Sequence, residues 1–213
     1  MLRVHALFAE PFAAPRALRA TDAKRCAVFH RTADQLSGLE VPAIGASIEG
    51  WFEHEHPARA WMAHLAKHTV AQIILLTDEY TLFEKPGFEK AGSEKAGFKK
   101  TGADAAIKGK FLFRRKAGMT VTAFQEYWRL RHGPIVLRTP EILRYVQSHM
   151  PPSAYADGQP VYDGITEIHW PDHAATVRSM GSPEMTVEQS TDARNFAEPG
   201  SVTLVLMREV DFC

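Results

Sequence analysis

Apolar and polar residues alternate with period two in eight short runs, at 2–8, 26–32, 47–53, 70–83, 110–115, 142–149, 163–170 and 201–210. Each reads as a β-strand, because successive strand side chains point to opposite faces. Between some of these runs the spacing changes to that of a helix. Thr120 is an N-cap candidate for a helix running to about Arg131, where Gly133 and Pro134 should end it. Asp172 can cap a helix carrying Ala175, Val177 and Met180, and a looser, partly helical segment runs on to about Phe196. Trp61 and Leu65 mark a helix in the first half, and 151–160 reads as a turn-rich loop.

The second half therefore reads β-α-β-β-α-β, the split βαβ or ferredoxin-like order. The first half echoes it, with Ile48-Glu-Gly-Trp-Phe-Glu-His-Glu-His-Pro-Ala set against Ile165-Thr-Glu-Ile-His-Trp-Pro-Asp-His-Ala-Ala. Its first helix, within 13–25, is the degenerate part. Between the halves lies a repetitive Gly-, Glu- and Lys-rich stretch that reads as a solvated linker. The expected organisation is a degenerate repeat at 1–86, a linker at 87–109 and a complete repeat at 110–213. The expected fold is α+β: two ferredoxin-like sheets packing their bare faces as a dimeric-type α+β barrel, with a cavity between them.

Composition narrows the function. The chain has 213 residues, 45% of them hydrophobic, and Lys+Arg and Asp+Glu both number 25. Zero formal charge gives no global footprint for nucleic acid. No apolar run approaches a membrane span, and no basic-then-apolar leader opens the chain, so a cytoplasmic protein is expected. Cys26 and Cys213 make neither a disulfide framework nor a thiolate metal site. His54 and His56 would share a strand face, but no third ligand is evident, so no metal is assigned.

Candidate chemistry concentrates at Phe124-Gln-Glu-Tyr-Trp-Arg-Leu-Arg-His-Gly-Pro. Helical spacing puts Tyr127, Trp128 and Arg131 on one face with His132 beside them, an imidazole under aromatic cover near a helix end. A structural histidine bonding a backbone carbonyl is the alternative. Leu143, Tyr145, Gln147 and His149 alternate onto one strand face, either lining a cavity or facing solvent, with Arg144 and Val146 turned to the helices. Glu167 and His169 share a face of the next strand and join the constellation if that face looks into the barrel. Arg131, Arg138 and Arg144 are candidate anchors for a carboxylate.

With Phe111-Leu-Phe-Arg-Arg-Lys-Ala-Gly-Met-Thr, Leu143-Arg-Tyr-Val-Gln-Ser-His and Tyr162-Asp-Gly-Ile-Thr-Glu-Ile, the same stretch resembles the EthD family of the dimeric α/β-barrel superfamily. The resemblance covers about half of the chain. It implies a small-molecule enzyme or accessory protein, usually without metal or organic cofactor, and places the family's helix histidine at His132. Haem occurs on related barrels, where His132 would be an axial ligand. The expected activity is that of a cofactor-independent lyase, a decarboxylase of a phenolic or aromatic carboxylic acid. In that reaction His132 and His149 are catalytic, and Tyr127, Trp128, Arg131, Tyr145, Gln147, Glu167 and His169 bind substrate. The alternatives are a dehydratase, cyclase or isomerase on an aromatic or polyketide-like substrate, or a non-catalytic binding protein. A homodimer is the expected assembly, if any.

Overall fold

In the computed structural model the protein is described over residues 1–11, 18–36, 42–86, 88, 106–156 and 158–211. The strands are β1 (Leu2–Phe8), β2 (Arg25–Arg31), β3 (Ala46–Phe52), β4 (Ile73–Glu84), β5 (Ile107–Phe113), β6 (Arg144–His149), β7 (Gly164–Trp170) and β8 (Thr203–Asp211). The helical elements are α1 (Glu55–His68), α2 (Val121–Tyr127), a π-helical turn at Trp128–His132, α3 (Gly133–Val136) and α4 (His173–Met180). A second π-helical turn (Glu184–Gln189) and α5 (Ser190–Ala193) follow. The linker expected at 87–109 falls mostly outside the described residues, and β5 begins at Ile107, inside that range. Of 13–25, the first five residues lie outside the described ones, and a turn at 21–22 leads into β2 at Arg25.

All eight strands join one closed antiparallel barrel in the order β1-β3-β2-β8-β5-β7-β6-β4. Within each half the order is the ferredoxin-like one, β4-β1-β3-β2 and β8-β5-β7-β6. The β2–β8 and β4–β6 ladders weld the halves edge to edge. Among the described strands, none is left with an open edge. Cys26 on β2 is buried and disulfide-bonded.

Alternation sorts the strand residues into two compartments. Outer positions pack under helices: Trp61, Leu65 and Ala58 of α1 cover Val4, Ile48 and Phe52, and the Trp61 indole donates to the Leu18 carbonyl at 3.0 Å. On the second half, Phe113, Phe124, Trp128 and Phe196 form an aromatic cluster between sheet and helices.

The inner positions correct the expectation of an inter-sheet cavity. The barrel interior is packed, partly with Leu7, Leu112, Ile165, Val205 and Met207, and partly with buried charge. Arg3 bonds Glu49 and reaches Glu79 at 2.7 Å and Glu167 at 2.8 Å. Lys110 lies 2.8 Å from both Glu49 and Glu167, and Lys108 lies 2.8 Å from Glu49 and 3.4 Å from Glu167. Strand register explains the meeting: His5 is opposite Glu49 on β3, and Lys110 is opposite Glu167 on β7. Glu49 comes from the first half and both lysines from the second, so the ion pairs cross between halves.

Burial opposes the charge on Glu49 and Glu167, but Arg3, Lys108 and Lys110 outweigh it and hold both carboxyls well below the usual range. Burial draws Lys108 down to about 7 against the pull of Glu167 and Glu49. Burial, with Lys110 and Arg3, pushes His5 down to about 3. An unfolded chain takes a proton on His5 below its ordinary value of 6.5, while the folded chain refuses it until about 3, so stability declines as pH falls below 6.5. The carboxylate contribution is present above their ordinary 4.5 and is lost as pH falls through their lowered folded values. Glu49→Gln should cost roughly 3–5 kcal/mol, because it leaves buried cations short of a counter-charge. Guanidinium unfolding at pH 7 measures that loss, and a variant as stable as the parent would refute it.

Candidate functional site

The helix after β5 starts where the sequence placed it. Thr120 accepts a bond from the Ala123 amide at 3.2 Å and caps α2. It does not stop at Gly133-Pro134. The chain widens into the π-helical turn at Trp128–His132 and continues through α3, with the Gly133 amide bonding the Trp128 carbonyl five residues back. The wider turn absorbs a proline that a regular helix would not carry without a break. Gly133 and Gly164 permit the fit: a β-carbon on Gly133 would lie 2.7 Å from the Leu82 side chain, and one on Gly164 would lie 2.7 Å from the Trp128 ring.

The Tyr145, Gln147 and His149 row faces this helix, which corrects its expected direction. Ring stacking at 4.4 Å sets His149 behind Trp128. Gln147 donates to the Trp128 carbonyl at 3.0 Å and to the Tyr145 hydroxyl at 2.5 Å, and its carbonyl lies 2.9 Å from His149 Nε2. The polar row buttresses the π-helical turn. Burial pushes His149 down to about 3 and Tyr145 upward. The opposite face of β6, with Arg144 and Val146, belongs to the barrel side; Arg144 pairs with Glu84 at 3.0 Å and Glu79 at 3.4 Å. Glu167 and His169, which alternation groups on one face, point into the barrel, and the sheet separates them from His132.

Between the helices of the second half and the outer face of β5, β7 and β8 lies a cleft of about 870 Å³. Its floor is Phe111, Phe113, Thr166, Ile168 and Leu204. Trp128, His132, Val136, Met180, Met185, Gln189 and Phe196 form its walls. It is the concave, mostly apolar place with few polar groups that small-molecule sites favour.

His132 is buried at its wall, with the Phe196 ring 4.7 Å away. Its Nδ1 lies 2.9 Å from Asp192 Oδ2. The Tyr127 hydroxyl donates to the other oxygen of Asp192 at 2.8 Å and accepts from the Asn195 amide at 3.0 Å. Burial lowers the His132 pKa, and Asp192 offsets part of that shift. Burial also opposes charge on Asp192, but the bonds from Tyr127 and His132 prevail and lower its pKa. The result is an imidazole held through Nδ1 on a carboxylate, with burial disfavouring its charged form.

Of the expected site residues, His132 and Trp128 line the cleft and Tyr127 orients Asp192. Arg131 is exposed, Arg138 pairs with Glu188 at the surface, and Arg144 is in the barrel rim, so none of the three lines the cleft. Exposed Arg194 is the arginine that does. Sequence reading missed Asp192, which is 60 residues from His132 and carries no local motif. It also missed His173, whose Nε2 is buried without a hydrogen-bond partner, and Gln35 and Leu36 from the first half.

His54 is the N-cap of α1 and His56 lies in its first turn, so they do not form a strand pair. Among the described residues, His5, Glu49 and Glu167 bring ligand atoms within 4.8 Å of one another. Their carboxylates already receive Arg3, Lys108 and Lys110, which take the place a cation would fill.

The architecture is the dimeric α/β-barrel fold, closed here within one chain. Residues 116–200, within the second half, match the family model of the EthD domain. An EthD family protein from Bacillus halodurans shares 20% identity, covering 49% of this chain and 99% of its own, with a TM-score of 0.41. An anthrone oxidase-like protein aligns over 100% of this chain and 92% of its own, at 13% identity and a TM-score of 0.61. A dye-decolorizing peroxidase from Bacteroides thetaiotaomicron aligns over 98% and 92%, at 9% identity and 0.50. At these identities the likeness to the last two is one of fold alone. No curated protein matches the chain. Among the described residues, no helix is long and apolar enough to cross a membrane.

Asp192→Asn tests the dyad. Asp192 raises the His132 pKa, so its loss should lower an already depressed value further. The unfolded chain takes this proton near 6.5 while the folded one refuses it, so the variant should also lose more stability on acidification below that pH. Histidine-resolved NMR titration reads the shift, and an upward move would refute the arrangement.

Proposed function

We propose that the chain is an enzyme performing acid–base catalysis on a phenolic or polyketide-like aromatic molecule in the second-half cleft. The observation that carries this reading is His132, held by Asp192 at 2.9 Å, at the wall of an apolar, aromatic-lined cleft. His132 accepts a proton from a hydroxyl or an activated carbon of the substrate, and Asp192 stabilises the imidazolium that results. The aromatic walls exclude water and hold a flat ring by stacking and edge contacts. Proton transfer of this kind serves an isomerase, dehydratase or cyclase directly. It serves a decarboxylase if the substrate carboxylate is held by Arg194, the cationic arginine that lines the cleft. His149, behind Trp128, acts through the position of the helix rather than by touching substrate.

The same donor set favours one second reading. An imidazole whose Nδ1 is bonded to a carboxylate is the form that ligates metals well. The cleft is apolar and roomy, so the residues fit a haem, with His132 holding the iron and Phe111, Phe113, Met180 and Phe196 flanking the ring. Bound there, haem would supply redox chemistry. Haemin titration followed by visible absorbance separates the readings: a shifted Soret band that disappears in His132→Ala supports haem.

A screen of phenolic acids and fused-ring phenols, followed by ultraviolet absorbance and carbon dioxide release, tests the first reading. His132→Ala should lower turnover by about 10²–10⁴-fold. The acid limb of kcat/KM should fall below the ordinary histidine value of 6.5, because burial disfavours imidazolium. Folded His132→Ala protein with full turnover removes the assignment.

A further inference from the structure

The cleft lies in the second half, yet part of its wall comes from the first. Where β2 stops pairing with β8, the chain crosses over the outer face of the neighbouring sheet. The Thr32 amide bonds the Leu206 carbonyl at 2.9 Å, one step beyond the Arg31–Met207 pair. Gln35 then does with its side chain what a further strand residue would do with its backbone. Its amide donates to the Leu206 carbonyl at 2.9 Å, and its oxygen accepts from the Leu206 amide at 2.9 Å. The same amide also bonds the Thr32 carbonyl and hydroxyl at 3.0 and 2.9 Å, which locks the turn. Leu36, next in the chain, packs against the apolar cluster that includes Ile168, Leu204 and Leu206, and both residues line the cleft.

A surface loop with no task has no need to hold its neighbour's strand through a two-point amide clamp. A clamp matters when one side chain must be kept at a defined depth. We propose that Gln35 positions Leu36 as a stop that sets how long a fused aromatic system the cleft accepts. The first half thus supplies a specificity residue to the second, which no separated EthD half could provide for itself. This inference rests on the reading of the cleft as a substrate site.

The test is binding rather than turnover, so it does not depend on His132. Phenol, 2-naphthol and anthrone form a series of one, two and three rings. Each is titrated into full-length protein and followed by quenching of tryptophan fluorescence, since Trp128 lines the cleft. Leu36→Trp should weaken anthrone by about tenfold or more while phenol changes by less than about twofold. Leu36→Ala should shift the preference toward anthrone. Gln35→Met, which keeps length but removes the clamp, should erase the discrimination without loss of folded structure by circular dichroism. Equal changes for all three ligands, or none, would overturn the stop while leaving the cleft as a site. Failure of all three to bind the parent protein would instead overturn the aromatic-substrate reading, and this inference with it.

Discussion

The arrangement depends on a set of charges that cannot reach water. Glu49 and Glu167 lie inside the barrel among Arg3, Lys108 and Lys110, and each carboxylate draws cations from the opposite half. An unpaired charge there would be far more costly than any apolar gap. The network therefore favours one relative placement of the two sheets, which the β2–β8 and β4–β6 ladders then complete. With the inside filled, the open cleft lies on the other side of the sheet, beneath the helices.

That inversion explains where the sequence was legible and where it was not. The strands, their order and the Thr120 and Asp172 caps follow from alternation, spacing and local chemistry, and the structure bears them out within a few residues. Alternation also grouped Tyr145 with Gln147 and His149, and Glu167 with His169, on common faces. It could not say which face of either strand was inside. An ordinary half-buried sheet reveals this by polarity, but here the barrel side is charged and the helix side carries a hydrogen-bonded polar row. A single cavity lined by both rows is the reading the sequence allows, yet they lie on opposite faces of the sheet.

The second failure concerns the helix around His132. Gly133-Pro134 is an ordinary stop signal, and it was overridden by a wider turn pinned from outside by Gln147. The Trp128 carbonyl accepts both the Gly133 amide and the Gln147 side chain, so the wider turn leaves that backbone group paired. Asp192 was invisible for a simpler reason: 60 residues separate it from His132, and only the fold brings them together.

The opposed faces of β5 and β7 have an evolutionary reading. Lys110 and Phe111 are chain neighbours, as are Glu167 and Ile168, but the first of each pair serves the charged interior and the second the cleft. Substitutions at 111, 113, 166, 168 and 204 can remodel the shape and polarity of the cleft while the electrostatic lock stays intact. One scaffold of this design can drift through many chemistries at little risk to its own folding, a form of modularity written into the pleat of the strand.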